Sequence, residues 1–262
     1  MTNENKRARI QAIVTMLQQR NGASIKQLAQ ELDVTEMTIR RDIHVLQLND
    51  LVNIFHGSVV LNPDKASADG ALTYNIFSSG GVMEREKDLI GKEAAKLIKE
   101  GDVLFIDSGT TTEALVRHLQ SELDISVICF SLNILEELKR KKISKLIFGG
   151  GYYHPETQAF ECDEMVQFIS GIRANKAFLS ASGISRSLGF TCVKKYEEKL
   201  KKTFISNAGQ RIVLADSSKF DVVKPLYYGS FSQIDTIITD HKLSKEWQEY
   251  LENEKVDCIL SR

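Results

Sequence analysis

Nowhere in these 262 residues do two cysteines come close enough to form a C-x-x-C pair. Cys129, Cys162, Cys192 and Cys258 are scattered, which speaks against a structural zinc site or a disulfide framework and for reduced thiols in a cytoplasm. No apolar run is long enough to span a bilayer, and the leading "MTNENKRARIQAIVTMLQQ" spaces its apolar residues instead of massing them into a signal-peptide core. A cytoplasmic location with no membrane partner is the expectation. Positive charge is not in surplus either: the formal net charge is -1, which excludes a protein that holds nucleic acid by bulk charge and leaves only a local patch. There is no GxGxxG fingerprint, no Walker loop, no internal repeat and no coiled-coil heptad. No nucleotide cofactor and no metal are therefore expected.

What is present is an ordinary globular composition, 42% hydrophobic and 26% charged, long enough for a large domain plus a small one. In "KRARIQAIVTMLQQR", Ile10, Ile13, Val14 and Leu17 fall at i, i+3, i+4 and i+7, the spacing of one helical face. Asn21-Gly22 stops that helix. Ser24 caps a second, shorter one carrying Ile25, Leu28, Ala29 and Leu32 and ending at Asp33. After a tight turn, Thr35 caps a third helix with Ile39, Ile43 and Leu46 inward.

Two short helices joined this closely make a helix-turn-helix pattern, in which the start of the second enters the DNA major groove. Thr35, Glu36, Met37, Thr38, Arg40 and Arg41 occupy that end, on or beside the side left free by the core. An arginine fork can bond a guanine edge twice or clamp a phosphate, and threonines suit phosphate oxygens or a thymine methyl. The plainer alternative is a solvated face whose arginines pair with Asp42, Glu36 or Asp33. The two preceding helices, correctly spaced, favour the DNA-binding reading. "LVNIFHGSVVLN" then reads as a wing hairpin turning at His56-Gly57, where His56 either touches the DNA backbone or only fills the turn.

The expected organisation is a winged helix-turn-helix domain over 1–61, a linker over 62–81 rich in Pro, Ser, Gly and Ala, and a second domain over 82–262. Strands and helices alternate through that second domain, which predicts an α/β fold with a mostly parallel sheet covered on both faces. Ligands in such folds bind beyond the carboxyl ends of the strands. At those ends "FIDSGTTTEAL" brings Asp107, Ser108, Gly109, Thr110, Thr111 and Thr112 to a helix N-terminus, chemistry that suits a phosphate, although small polar residues also make plain βα turns. Ser131 and Asn133 follow the next strand, and Gly149 and Gly150 the one after, where backbone can lie against a ligand. Glu197 and Lys201 stand at i, i+4, either a site pair or a surface helix pair. Asp216 ends a strand with Lys219 close behind, placed to serve a ligand's hydroxyls and phosphate or to form a structural ion pair.

In the order "VTEMTIRRDI", "HGS", "REKDLIGKEAAKLI", "FIDSGTTT", "FGGGYY", "ADSSKF" and "IDTIITD", these pieces resemble the bacterial DeoR family of transcriptional regulators over nearly the whole chain. The resemblance implies a C-terminal sugar-phosphate-binding domain similar in fold to ribose-5-phosphate isomerase and to CoA transferases. It also implies a repressor that leaves its operator DNA when a phosphorylated sugar binds. "CFSLNILEELK", "SASGI", "GFTC", Glu197 with Lys201, and "ADSSKFDVVKP" look most like the subgroup responding to deoxyribose-5-phosphate. Where many relatives have T-N-S and H-G-G, this chain has Phe130-Ser131-Leu132-Asn133 and His56-Gly57-Ser58. The first departure fits that subgroup; the second leaves the wing's detailed contacts open.

On this reading Ser108 to Thr112 and Lys219 hold the phosphate, while Asp107, Ser131, Asn133, Glu197 and Lys201 orient the sugar. Because one recognition helix reads only a few base pairs, a homo-oligomer is expected. The rival class is a sugar-phosphate isomerase with an appended DNA-binding domain, using Asp107 or Glu197 as base and Lys201 or Lys219 as stabiliser. A stand-alone enzyme has no need of "TIRRDI" after a capped helix, so it ranks second, and a pure protein-interaction module leaves the polar strand-end loops without a purpose.

Overall fold

Ile10, Ile13, Val14 and Leu17 are buried together on one side of helix α1 (Asn3–Arg20), as their spacing requires. The computed structural model describes residues 3–20, 22–48, 52–55, 58–61, 83–143 and 145–262. Gly22 turns the chain at φ +133°, where a Cβ would lie 2.8 Å from Val60. Strand β1 (Ala23–Ser24) leads into α2 (Ile25–Glu31) through a capping box: Ser24 Oγ accepts from Gln27 N, and Gln27 Oε1 accepts from Ser24 N. The helix closes at Glu31, before Asp33, which takes the turn at φ 50°. Thr35 Oγ1 accepts from Thr38 N at 3.2 Å and starts α3 (Glu36–Leu48), which buries Ile39, Ile43 and Leu46. Strands β2 (Val52–Phe55) and β3 (Ser58–Leu61) pair antiparallel, and β3 also pairs with β1, completing the winged helix. His56, Gly57 and the expected linker at 62–81 lie outside the described residues.

The second unit runs α4 (Glu84–Ala95), β4 (Val103–Ile106), α5 (Thr110–Arg117), β5 (Ser126–Cys129), α6 (Leu132–Arg140) and β6 (Lys145–Phe148). A hairpin of β7 (Tyr152–His154) and β8 (Ala159–Glu161) follows, then α7 (Asp163–Ser170), β9 (Ala174–Ser180), and a second hairpin of β10 (Gly183–Ser185) and β11 (Gly189–Cys192). The chain ends with α8 (Lys195–Asn207), β12 (Ala208–Leu214), β13 (Leu226–Gly229), β14 (Thr236–Asp240), α9 (Lys245–Asn253) and β15 (Asp257–Ser261). The two hairpins, α7, β13 and β15 are elements that the sequence alternation does not predict. The main sheet is parallel throughout, in the order β15-β14-β12-β9-β4-β5-β6. No helix among the described residues is long and apolar enough to cross a membrane.

Strand alternation divides the core into two layers. Leu104, Ile106, Val127, Cys129, Phe178, Ile212, Leu214 and Ile238 face α4, α5 and α6, while Phe105, Ile128, Ala177, Leu179, Val213 and Ile237 face α7, α8 and α9. The strand order places the site. From β4 the chain winds outward through β5 and β6, then returns to the other side of β4 with β9 and winds the opposite way. A crevice opens at such a reversal, beyond the carboxyl ends of β4 and β9.

The two units share an apolar seam. Leu188, in the β10–β11 turn, and Val223, just before β13, are buried in one cluster with Ile10, Val14 and Leu46 of the winged helix. Thr191 ties these two loops together, donating from Oγ1 to Gly183 O at 3.0 Å and accepting from Lys224 N at 2.9 Å.

Candidate functional site

On α3 the side chains of Glu36, Met37, Arg40 and Arg41 are exposed, with Thr35 beside them and Thr38 half-buried. Met37, at 59% exposure, is an apolar side chain left in water on the same face. Of the pairings the plain alternative offered, Arg40 stands 3.6 Å from Glu36, an exposed contact of little energetic weight. Asp42 is taken: it is buried and accepts from Arg9 Nε at 2.6 Å, pinning α3 to α1. His44, exposed one turn beyond Arg40, extends the same face and was not anticipated.

In the second unit, position within the sheet decides which side chains meet. Phe105 stacks on Phe204 of α8 with centroids 4.5 Å apart. Two residues after Phe105 on the same face comes Asp107, and one turn before Phe204 comes Lys201, so the ring stack brings the two charges together. Lys201 Nζ donates to Asp107 Oδ2 and, at 2.9 Å, to both the carbonyl and the hydroxyl of Ser180. Ser180 N donates to the same Asp107 oxygen at 2.8 Å, and Tyr228 OH donates to Ser180 O at 2.8 Å while its ring lies 5.1 Å from Lys201 Nζ. Ser180 and Tyr228 are thus members of the cluster that sequence reasoning missed.

Glu197, one turn before Lys201, is buried, which rules out the surface-pair reading. Burial pushes its carboxyl up to about 7, opposed by Lys201 and assisted by Asp107. Burial pulls the Lys201 ammonium down, but Asp107 and Glu197 outweigh it and the net displacement is upward.

Across the crevice α5 begins at Gly109, whose φ of +136° favours glycine, and no side chain caps the helix. Thr112 folds its hydroxyl back to Gly109 O, Thr111 is buried, and Thr110 lines a cavity of about 340 Å³ with Lys87, Asn133 and Gln158. Asn133 Nδ2 donates to Glu113 Oε2 at 2.8 Å. Asp216 uses Oδ1 to hold Ser218 and cap the short 3-10 turn Ser217–Lys219, with Lys219 half-buried at its end. Among the described residues, four buried atoms here lack a hydrogen-bond partner: Asp107 Oδ1, Ser131 Oγ, Asn133 Oδ1 and Asp216 Oδ2. Two others, Thr239 Oγ1 and Ser261 Oγ, sit in β14 and β15 and belong to no anticipated site.

The glycine-rich loop departs from expectation. Room for a ligand at Gly149 is filled by Met165, whose Sδ would lie 1.8 Å from a Cβ there; Gly151, at φ +132°, is pressed against Glu161 O. Only Gly150 faces open space. These glycines let the β7–β8 hairpin and α7 pack closely, a tertiary demand that the glycines alone did not reveal.

Residues 9–65 match the model of the DeoR-like helix-turn-helix domain, and residues 83–241 match the DeoR C terminal sensor domain. The chain is 29% identical to the deoxyribose operon repressor of Escherichia coli (strain K12) over 251 residues, covering 96% of this chain and 97% of that protein. It is 31% identical to the lactose phosphotransferase system repressor of Lactococcus lactis subsp. lactis over 244 residues, 92% and 94% of the two chains. Among solved structures, ribose 5-phosphate isomerase A from Methanocaldococcus jannaschii aligns over 53% of this chain and 55% of that one at 23% identity and TM-score 0.39, too loose an agreement to bear on function. With both halves matched in order and its relatives matched nearly end to end, the chain belongs to the DeoR family of helix-turn-helix transcriptional regulators.

Proposed function

We propose that the protein represses a sugar or deoxyribonucleoside catabolic operon and leaves its operator when a phosphorylated sugar, with deoxyribose-5-phosphate the first candidate, binds at the crevice. The observation that carries this is the group of unpartnered atoms. Asp107 Oδ1, Asn133 Oδ1 and Asp216 Oδ2 are all acceptors, and a buried acceptor without a donor costs about 1–3 kcal/mol. Ligand hydroxyls are donors. The uncapped start of α5 offers the opposite chemistry, free N–H groups and a partial positive charge, which favours a phosphate. A molecule with several hydroxyls and one phosphate answers both.

For the ligand to regulate, it must bind the DNA-competent and DNA-incompetent arrangements unequally; a difference of ~1–3 kcal/mol changes DNA affinity roughly 5- to 150-fold. The Leu188 and Val223 seam gives that difference a route, since each loop is a few residues from Ser180 or Lys219. Assembly with a second copy is part of the proposal, because one α3 reads a single half-site. The test is binding of the purified protein to DNA upstream of its own operon, titrated with deoxyribose-5-phosphate, ribose-5-phosphate and fructose phosphates. Release by the deoxy sugar alone supports the assignment; release by another phosphate replaces the inducer; no DNA binding at all removes the repressor reading.

One observation favours a second reading. Glu197, displaced to about 7 beside Lys201, has the acidity of a general base, so an isomerase is the alternative. Turnover of ribose-5-phosphate or deoxyribose-5-phosphate that is lost in Glu197→Gln would put it first.

A further inference from the structure

The β7–β8 hairpin turns through Pro155 to Gln158, and this tip is held from two directions. Glu156 pairs with Lys194 at 3.2 Å, Thr157 Oγ1 lies 2.7 Å from Tyr196 OH, and the His154 ring stacks on Tyr196 with centroids 3.9 Å apart. These contacts fasten the tip to the start of α8, beside Glu197. On the other side Gln158 O accepts from Leu132 N at 2.7 Å and Ala159 bridges Ser131, joining the tip to the loop that carries Ser131 and Asn133. Held this way, Gln158 takes a left-handed φ of 53°, a conformation that glycine or asparagine adopts more readily. Its side chain lines the cavity of about 340 Å³ with Thr110 and Asn133, and among the described residues none hydrogen-bonds its amide.

Resting on the effector reading above, we propose that Gln158 is a specificity-determining contact of this site, its amide hydrogen-bonding the hydroxyl-bearing part of the sugar phosphate. A phosphate at the start of α5 sits against Thr110, and Gln158 reaches the same cavity from a separate element, so the two contacts fall on different parts of one ligand. The chemistry of the wall leaves room for such a residue. Glu84, Glu113, Glu136 and Glu137 line the cavity, and ionised carboxylates only accept, whereas an amide both donates and accepts and can pair with a hydroxyl in either sense. Asn133, the other amide there, already donates to Glu113 at 2.8 Å. The Gln158 amide keeps its donors and its acceptor available. Glycine would make this turn without strain, so the turn alone does not call for a glutamine side chain. A group that hydrogen-bonds a ligand hydroxyl discriminates against ligands that present none in its place. The hairpin tip thereby sets which sugars are accepted, while the start of α5 recognises the phosphate common to all of them.

The test is calorimetric binding of deoxyribose-5-phosphate, ribose-5-phosphate, fructose phosphates and inorganic phosphate to full-length wild type, Gln158→Gly and Gln158→Leu, with melting temperatures measured alongside. Gln158→Gly is expected to lose about 10-fold in affinity for the sugar phosphate that wild type binds most tightly, and to narrow the preference among the sugars. Inorganic phosphate should bind it as it binds wild type, and the variant should melt no lower, because glycine suits the left-handed φ. Gln158→Leu keeps the bulk of the side chain without the amide and should show the same ligand losses. Unchanged sugar-phosphate affinity in either variant overturns the proposal and leaves the effector reading standing. So does an equal loss for inorganic phosphate and the sugar esters, which would mean that the side chain only shapes the tip. Wild-type protein that binds no sugar phosphate overturns the effector reading and this proposal together.

Discussion

Asp107 and Lys201 form an ion pair that water does not reach: their side chains are 0% and 2% exposed, and Ser180 and Tyr228 enclose the contact. Two charges so deep are weak evidence for stability as a pair, but removing one strands the other at a cost of about 3–5 kcal/mol. Lys201→Met should therefore destabilise the protein by about that amount in urea denaturation, and Asp107→Asn added to Lys201→Met should restore much of it. Equal losses in the single and double variants would show that packing of the lysine stem, not its charge, is what matters.

Glu197 gives the free protein a pH dependence. Its folded carboxyl holds its proton up to about 7, while the unfolded chain releases it near the ordinary 4.5. The folded state therefore binds more protons across that window, so stability falls as pH rises from about 4.5 to about 7. Above the window the loss is on the order of 3 kcal/mol. Glu197→Gln should flatten that part of the profile and melt higher than wild type at pH 8; parallel profiles between pH 5 and 8 would refute the displacement.

Arg40 and Arg41 project from α3 without supporting the core. Their replacement by alanine should leave the unfolding free energy within about 0.5 kcal/mol of wild type while abolishing operator binding. Sugar-phosphate affinity should not change. Retained operator affinity in both variants would move the recognition surface elsewhere, with His44 the next position to replace.

A charge placed at the mouth of α5 separates induction from folding. Thr110 lines the cavity whereas Thr111 is buried, so Thr110→Asp is the cleaner probe. A repressor that still binds DNA and no longer responds to sugar phosphate is expected, because a carboxylate competes for the helix terminus. Normal induction would place the phosphate elsewhere.

Leu188 tests the seam. Leu188→Ala removes part of the contact with Ile10, Val14 and Leu46 at a cost of about 2–5 kcal/mol if the site cannot collapse. DNA affinity and effector affinity measured separately should persist, while the change in one caused by the other shrinks. An unaltered coupling would mean that the signal passes through another contact.

The winged helix was legible because its signals are local. Ser24 and Thr35 cap helices whose inward residues repeat every three or four positions, and both properties belong to single segments. The strand-end loops were legible for the same reason: Asp107 to Thr112 announce a βα turn whatever surrounds it. Gly149 misled because a glycine reports only that space is needed, not whether a ligand or Met165 fills it.

The sequence by itself determined the two-unit organisation, the exposed arginines of α3 and the chemistry available at the strand ends, since each depends on periodicity or on neighbours along the chain. Tertiary structure alone decided that β9 returns beside β4, and with it that Ser180 meets Asp107 and Lys201. It alone decided that Lys87 faces the start of α5 and that Leu188 reaches α1. The physical reason is sequence separation: strand order and helix crossing are set by the summed packing of many weak apolar contacts between distant segments, and no short stretch carries that sum.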